Sequence, residues 1–229
     1  IFTIGAELTK VLRGGEVQGP LVFNVGIVNS LPKLIAQRIL APVLKADDPV
    51  CIRCQEASLD HLLGELAVHH LDLVLSDQAI PAGLSLRAYN HRLGESGLSF
   101  FVRKGDARRY RKAFPSCLNE APMLLPSQDT MLRRRLDDWF LSNDLSPRIV
   151  GEFDDSALIK AFGEAGLGVF PGPTAIEREI ASMYHASVIG RTDDLTEHYY
   201  AISWERRLKH PAVVLITEAA RTDLFRMTP

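Results

Sequence analysis

The stretch FNVGIVNSLPKLIAQRIL, residues 23–40, changes character in its middle. Its first half alternates apolar and small residues, as a strand does, and its second half spaces apolar residues three and four apart, as a helix does. The switch falls on the small polar pair Asn29 and Ser30. A strand that runs into a helix through such a corner is the repeating unit of an open α/β sheet, and the carboxyl end of that strand is where the sheet places a ligand. Pro32 fits the first turn of the helix, with Asn29 or Ser30 as its cap. Pro42 removes a backbone donor, so the helix is expected to kink between Arg38 and Pro42.

The same alternation continues outward. VCIRCQE (residues 50–56) reads as a second strand. Ser58 then caps a helix whose Leu59, Leu62, Leu63 and Leu66 form one apolar stripe. LDLVLSD (71–77) is a short apolar run of the kind buried on both faces. A long extended segment follows from Leu84, ending in GLSFFVRKG. A second set comprises strand APMLLP, a helix from about Asp129 with Leu132, Leu136, Trp139 and Phe140 inward, strand RIVGEF, helix SALIKAFGEAG and strand LGVFP. EHYYAISWE (197–205) reads as another extended strand, and AVVLITEAARTDLF as a final helix that folds back on the first half. Two α/β halves joined by two extended segments describe a pair of subdomains with a cleft between them. At the start, Ile4, Leu8, Val11 and Leu12 suit the end of a helix, and GGEVQGP (14–20) a linker.

With 229 residues, 46% of them hydrophobic and 24% charged, the chain has the composition of an ordinary globular protein. A net charge of −2 and a pI near 6.4 exclude the overall basic character needed to grip nucleic acid. Three cysteines suit a reducing compartment, so a cytoplasmic location is expected. The first residues show neither a secretory signal nor an initiating Met, which suggests a fragment or a mature chain, and no run is apolar enough to span a membrane.

Several motifs read as structural. Cys51 and Cys54 form a C-x-x-C, but inside a strand an offset of three points them to opposite faces, so both are expected as buried cysteines rather than redox or zinc ligands. GLGVFPG (166–172) has helix-then-strand order, the reverse of a dinucleotide loop, and Gly166 suits a helix C-cap. The basic runs RRYRK (108–112) and RRR (133–135) are expected as solvated faces, and His69 and His70 as turn residues.

Four polar corners stand out as a set: Asn29 with Ser30, Glu56 to Ser58, Ser127 to Thr130, and Asp154 to Ser156. Each follows a strand and opens a helix, two in each half. One such corner is only a cap, but four on facing subdomains surround a cleft with hydroxyls and backbone amides. The candidate binding residues are Asn29, Ser30, Glu56, Ser58, Ser127, Gln128, Asp154 and Asp155.

At these corners, and at LAPVL (40–44), LLGELAVHHLDLVL (62–75) and FGEAGLGVFPGPTA (162–175), the sequence resembles the effector-binding part of LysR-type transcriptional regulators. The resemblance implies two Rossmann-like subdomains joined by two crossover strands, similar to type 2 periplasmic binding proteins. It divides the chain into residues 1–20 as linker, 21–97 plus 206–229 as subdomain I, and 98–205 as subdomain II. It also implies a non-enzymatic sensor that forms a homodimer or tetramer, binds promoter DNA through a helix-turn-helix not in this chain, and contacts RNA polymerase. Within the family the wording is most similar to an activator of a sodium/proton antiporter gene, which implies sodium as effector, with Glu56, Asp154 and Asp155 as the charged oxygens a cation needs. Helix N-termini favour an anion instead, so a small organic anion is the alternative effector. Two other readings use the same residues: a solute-binding protein of this fold, and a small hydrolase with Asp154, Asp155 or Glu56 as acid and base.

Overall fold

The computed structural model describes residues 21–46, 50–84, 86–110, 114–205 and 211–225. The expected helix end and linker in residues 1–20 lie outside them. Strand β1 (Leu21–Val28) buries Phe23, Val25, Ile27 and Val28 and pairs in parallel with both β2 (Val50–Ala57) and β3 (Leu73–Ser76). Gly26 makes this crowding possible, because a Cβ there would lie 2.8 Å from both Leu62 and Leu71. All four residues of β3 are buried, as its unbroken apolar run requires.

Two long strands carry the chain between the lobes. β4 (Tyr89–Arg103) and β8 (Ala186–Ser203) pair antiparallel from end to end except at residues 193–196 of β8, where the ladder is interrupted, and β7 (Phe170–Pro173) closes the far edge. The resulting six-stranded sheet runs β2-β1-β3-β8-β4-β7. β5 (Pro122–Pro126) and β6 (Arg148–Phe153) form a separate parallel pair, linked to the main sheet by a bridge between Met123 and Val169. One core lies around Phe23, Ile35, Leu62 and Tyr199 and reaches across to Phe101 and Phe170; the other centres on Phe100, Leu136 and Trp139.

The helices follow their apolar spacing. α1 (Lys33–Leu44) and α2 (Leu59–Ala67) cover the first lobe, and the Ser58 hydroxyl caps α2 by accepting from the His61 N–H while its four leucines are buried. α3 (Met131–Ser142), α4 (Ser156–Glu164) and α5 (Glu177–Met183) belong to the second lobe. Gly166, with φ +81°, ends α4 in the left-handed conformation expected of a C-cap. α6 (Pro211–Ala219) packs back on α1 and ends in a π-helical turn, Ala220–Leu224.

Four details differ from the sequence reading. Neither Asn29 nor Ser30 caps α1: Pro32 holds that position without a side-chain bond, because the Asn29 N–H donates to the Ala57 carbonyl (3.2 Å) and the Leu31 N–H to the Val28 carbonyl (3.0 Å), delaying the helix by a turn. Cys51 and Cys54 are exposed rather than buried, since β2 is an edge strand with most of its length open. Arg133 is not on a solvated face; only 4% exposed, it donates to Asp137, Glu152 and the Pro126 carbonyl. β8 begins at Ala186, eleven residues before the apolar alternation at Glu197, because β4 supplies a partner for the polar stretch as well.

The C-terminal turn docks on the crossover strands through Phe225, which stacks on Tyr199 at 4.9 Å between ring centres. A Cβ on Gly94 would lie 2.3 Å from the Phe225 Cβ. Gly94→Ala is therefore expected to cost about 1–3 kcal/mol by overpacking. Urea unfolding checks this: the midpoint should fall with little change in slope, and an unchanged midpoint would show that the turn relaxes freely.

Candidate functional site

The parallel strands end toward one another, and their polar corners meet in a cleft between the lobes. With the space open to solvent counted it spans about 530 Å³, of which about 40 Å³ can be occupied by a water-sized molecule. Ser30 and Pro32 enter it after β1, Asp77 after β3, Thr130 after β5, Asp154 and Ser156 after β6, Lys160 from α4, Pro171 to Pro173 from β7, and Glu197 from β8.

The eight candidate residues separate here. Ser30 and Asp154 line the cleft. Ser127 stands one bond behind, its hydroxyl donating to Asp154. Gln128 turns away to donate to Glu152 (3.4 Å). Asp155 caps α4 by accepting from the Ala157 N–H (2.8 Å), Ser58 caps α2, and exposed Asn29 is held through its backbone. Glu56 forms an exposed ion pair with Lys33. The structure thus does not gather Glu56, Asp154 and Asp155, and among the described residues no three His, Cys, Asp or Glu side chains are placed to hold a metal ion.

The cleft's charge comes instead from residues absent from the sequence-based set. Glu197 is 8% exposed, and burial, reinforced by the charge of Asp77, pushes its carboxyl up to about 7. Burial also raises Asp77, with the Ser30 hydroxyl opposing the shift. Lys160 is 4% exposed; burial pulls its ammonium down to about 8 although Glu197 and Asp155 oppose this, and its Nζ donates to the Ser156 carbonyl (2.9 Å). Asp77 Oδ1, Glu197 Oε2 and the Tyr199 hydroxyl are buried without a hydrogen bond of ordinary geometry among the described residues, although the Tyr199 hydroxyl interacts with the Glu197 carboxyl. Native proteins carry few such groups, and each costs roughly 1–3 kcal/mol. One signal of Glu197 was present in the sequence: strand alternation places it on the same face as Tyr199 and Ala201, both fully buried.

A cleft at strand ends between two lobes joined by paired crossover strands defines a two-lobed effector-binding domain. The chain belongs to the LysR substrate-binding domain family, whose model matches residues 16–224. Over 225 residues it is 34% identical to the transcriptional activator protein NhaR of Escherichia coli (strain K12), a match spanning 98% of this chain and 73% of that protein. The fold is similar to the Synechocystis PCC6803 CcmR regulatory domain in complex with 2-PG (TM-score 0.64, 12% identity, 91% of this chain and 99% of that one). It is also similar to Vibrio fischeri DarR in complex with DNA (TM-score 0.66, 16% identity, 95% and 73%). Among the described residues, no helix is long and apolar enough to cross a membrane.

The buried charges set a pH dependence. Glu197 keeps its proton past the ordinary 4.5, so between about pH 4.5 and 7 the folded chain binds more protons than the unfolded one, and stability falls as pH rises through that window. Lys160 loses its proton before the ordinary 10.5, so stability returns between about pH 8 and 10.5. Glu197→Gln should flatten the acid-side slope and add on the order of 3 kcal/mol above neutrality. Urea unfolding across this pH range measures both effects, and an unaltered slope would assign the titration to another group.

Proposed function

We propose that this chain is the effector-sensing and dimerisation domain of a cytoplasmic bacterial activator that controls a sodium/proton antiporter gene in response to sodium. The observation that carries this reading is the cleft floor, where half-buried Asp77 and buried Glu197 present oxygens suited to a hard cation, in a chain related to NhaR. An effector acts by preferring one closure of the lobes over another. A preference of about 1–3 kcal/mol is enough to change how attached helix-turn-helix domains sit on promoter half-sites and how they present to RNA polymerase.

The second reading, an organic anion, is favoured by Lys160 and by the N-terminus of α1, which has no side-chain cap and begins beside Ser30. Pairing between copies is assigned to the faces of α1, β2 and α3. β2 leaves most of its length exposed on one sheet edge.

Replacing potassium by sodium or lithium at constant ionic strength is expected to raise the melting temperature, because a ligand of the folded state stabilises it as its concentration passes Kd. Asp154→Asn removes one carboxylate from the cleft wall and should weaken that response. Identical melting in sodium and potassium would discard the cation and leave the anion. For pairing, Cys51→Glu places a charge on the β2 edge and should raise the dimer dissociation constant about tenfold or more; sedimentation equilibrium reads this directly, and an unaffected dimer would exclude the edge.

A further inference from the structure

We propose that Asp77 and Glu197, with the Ser30 hydroxyl beside them, form the seat of a monovalent cationic group, either an alkali ion or the ammonium end of a small amine. The proposal rests on the reading of the cleft as an effector site and specifies what the effector must carry. Glu197 is more than nine-tenths buried, lines the cleft, and has an unpaired Oε2; Asp77 lines it too, with an unpaired Oδ1. Once Glu197 is ionised, above about pH 7, both atoms are acceptors, with the Tyr199 hydroxyl as the neighbouring donor to Glu197. An anion would leave them unsatisfied and add repulsion, whereas a cation or an N–H donor satisfies them.

The resident positive charges do not fill the position. Lys160 Nζ is bonded to the Ser156 carbonyl, and Arg135 Nη1 to the Thr196 carbonyl, so neither reaches the two unpaired oxygens. Their fields nonetheless offset part of the acids' charge. With two carboxylates, no third acid assembled with them, and hydroxyls nearby, the site matches a single charge better than a divalent ion, which takes more anionic oxygens. Asp77 follows β3 of the first lobe, Glu197 lies on a crossover strand, and Lys160 stands on α4 of the second lobe. A cation held by the first two repels the third, so occupancy bears on how the lobes close.

The test is thermal unfolding of the 229-residue chain at fixed ionic strength in lithium, sodium, potassium or methylammonium chloride, with tetramethylammonium chloride as the control cation that has no N–H and is too bulky for the seat. Wild type should show a saturable rise in melting temperature, and Asp77→Asn and Glu197→Gln should each weaken the apparent affinity about tenfold or more. Both variants remove a buried unpaired charge with little change of shape, so they are expected to fold. Lys160→Gln removes a repelling ammonium and should tighten binding, an opposite sign that a merely damaged fold does not produce. A response to sodium or lithium identifies a bare ion; a response to methylammonium alone identifies an amine. If wild type responds while both acid variants respond equally well, the seat is wrong and cation sensing survives elsewhere, with Asp154→Asn the variant to follow. If no cation shifts wild type, the seat and the sodium reading fall together.

Discussion

The antiparallel pairing of β4 with β8, running from Tyr89 opposite Ser203 to Arg103 opposite Ala186, is the constraint on which the molecule depends. These strands are the only named ones to extend from the first lobe into the second, and β3 and β7 attach to their outer edges. Its register shifts, between Arg92 and Gly94, Ser96 and Leu98, and Phe100 and Phe101, are places where the ladder bends. Side contacts tie other elements to this ribbon. Glu177 at the start of α5 accepts from Ser99 of β4 and from Arg191 of β8, and Glu179 of the same helix pairs with Arg38 of α1. The first lobe is therefore joined to α5 by an ion pair as well as by the strands.

That geometry explains where the cleft's charges sit. A parallel strand can present a polar side chain only at its end without disturbing the apolar run that both its faces need. Ser30, Asp77 and Asp154 all follow a strand end. Glu197 is different: it lies within β8, opposite Ser96, on a strand that passes beneath the cleft. Lys160 occupies a buried place in the first turns of α4, where an apolar residue would normally pack. Both are desolvated because the lobes meet over them, and the same burial that shifts their protonation makes them responsive to whatever enters.

Local pattern was readable wherever burial follows from one element and its period. The Ser58 cap and the leucine stripe of α2 are local facts, as are the buried run of β3 and the turn at Gly166. The misreadings all involve a partner distant in sequence. Cys51 and Cys54 alternate as a strand should, but the position of β2 at the sheet edge exposes them. Arg133 is held inside by Glu152, nineteen residues away. Ser30 leaves the cap position because the Ala57 carbonyl of β2 holds the backbone of Asn29 and delays the helix. The cleft was legible as a set of corners, yet its charged floor was not, since a lone Glu in an alternating strand or a lone Lys in a helix ordinarily reads as solvent-facing.

Retaining two carboxylates with buried oxygens that lack good partners opposes stability, and in a cleft formed by two lobes the expense has a direction. Opening the lobes rehydrates Asp77, Glu197 and Lys160, while closing them strips water from all three. Apolar side chains in their place would favour closure at every condition and leave nothing for an effector to decide. On the proposed reading of the cleft as an effector site, a charged floor brings the closed arrangement nearer balance, where the modest differential affinity of one small ligand shifts the population.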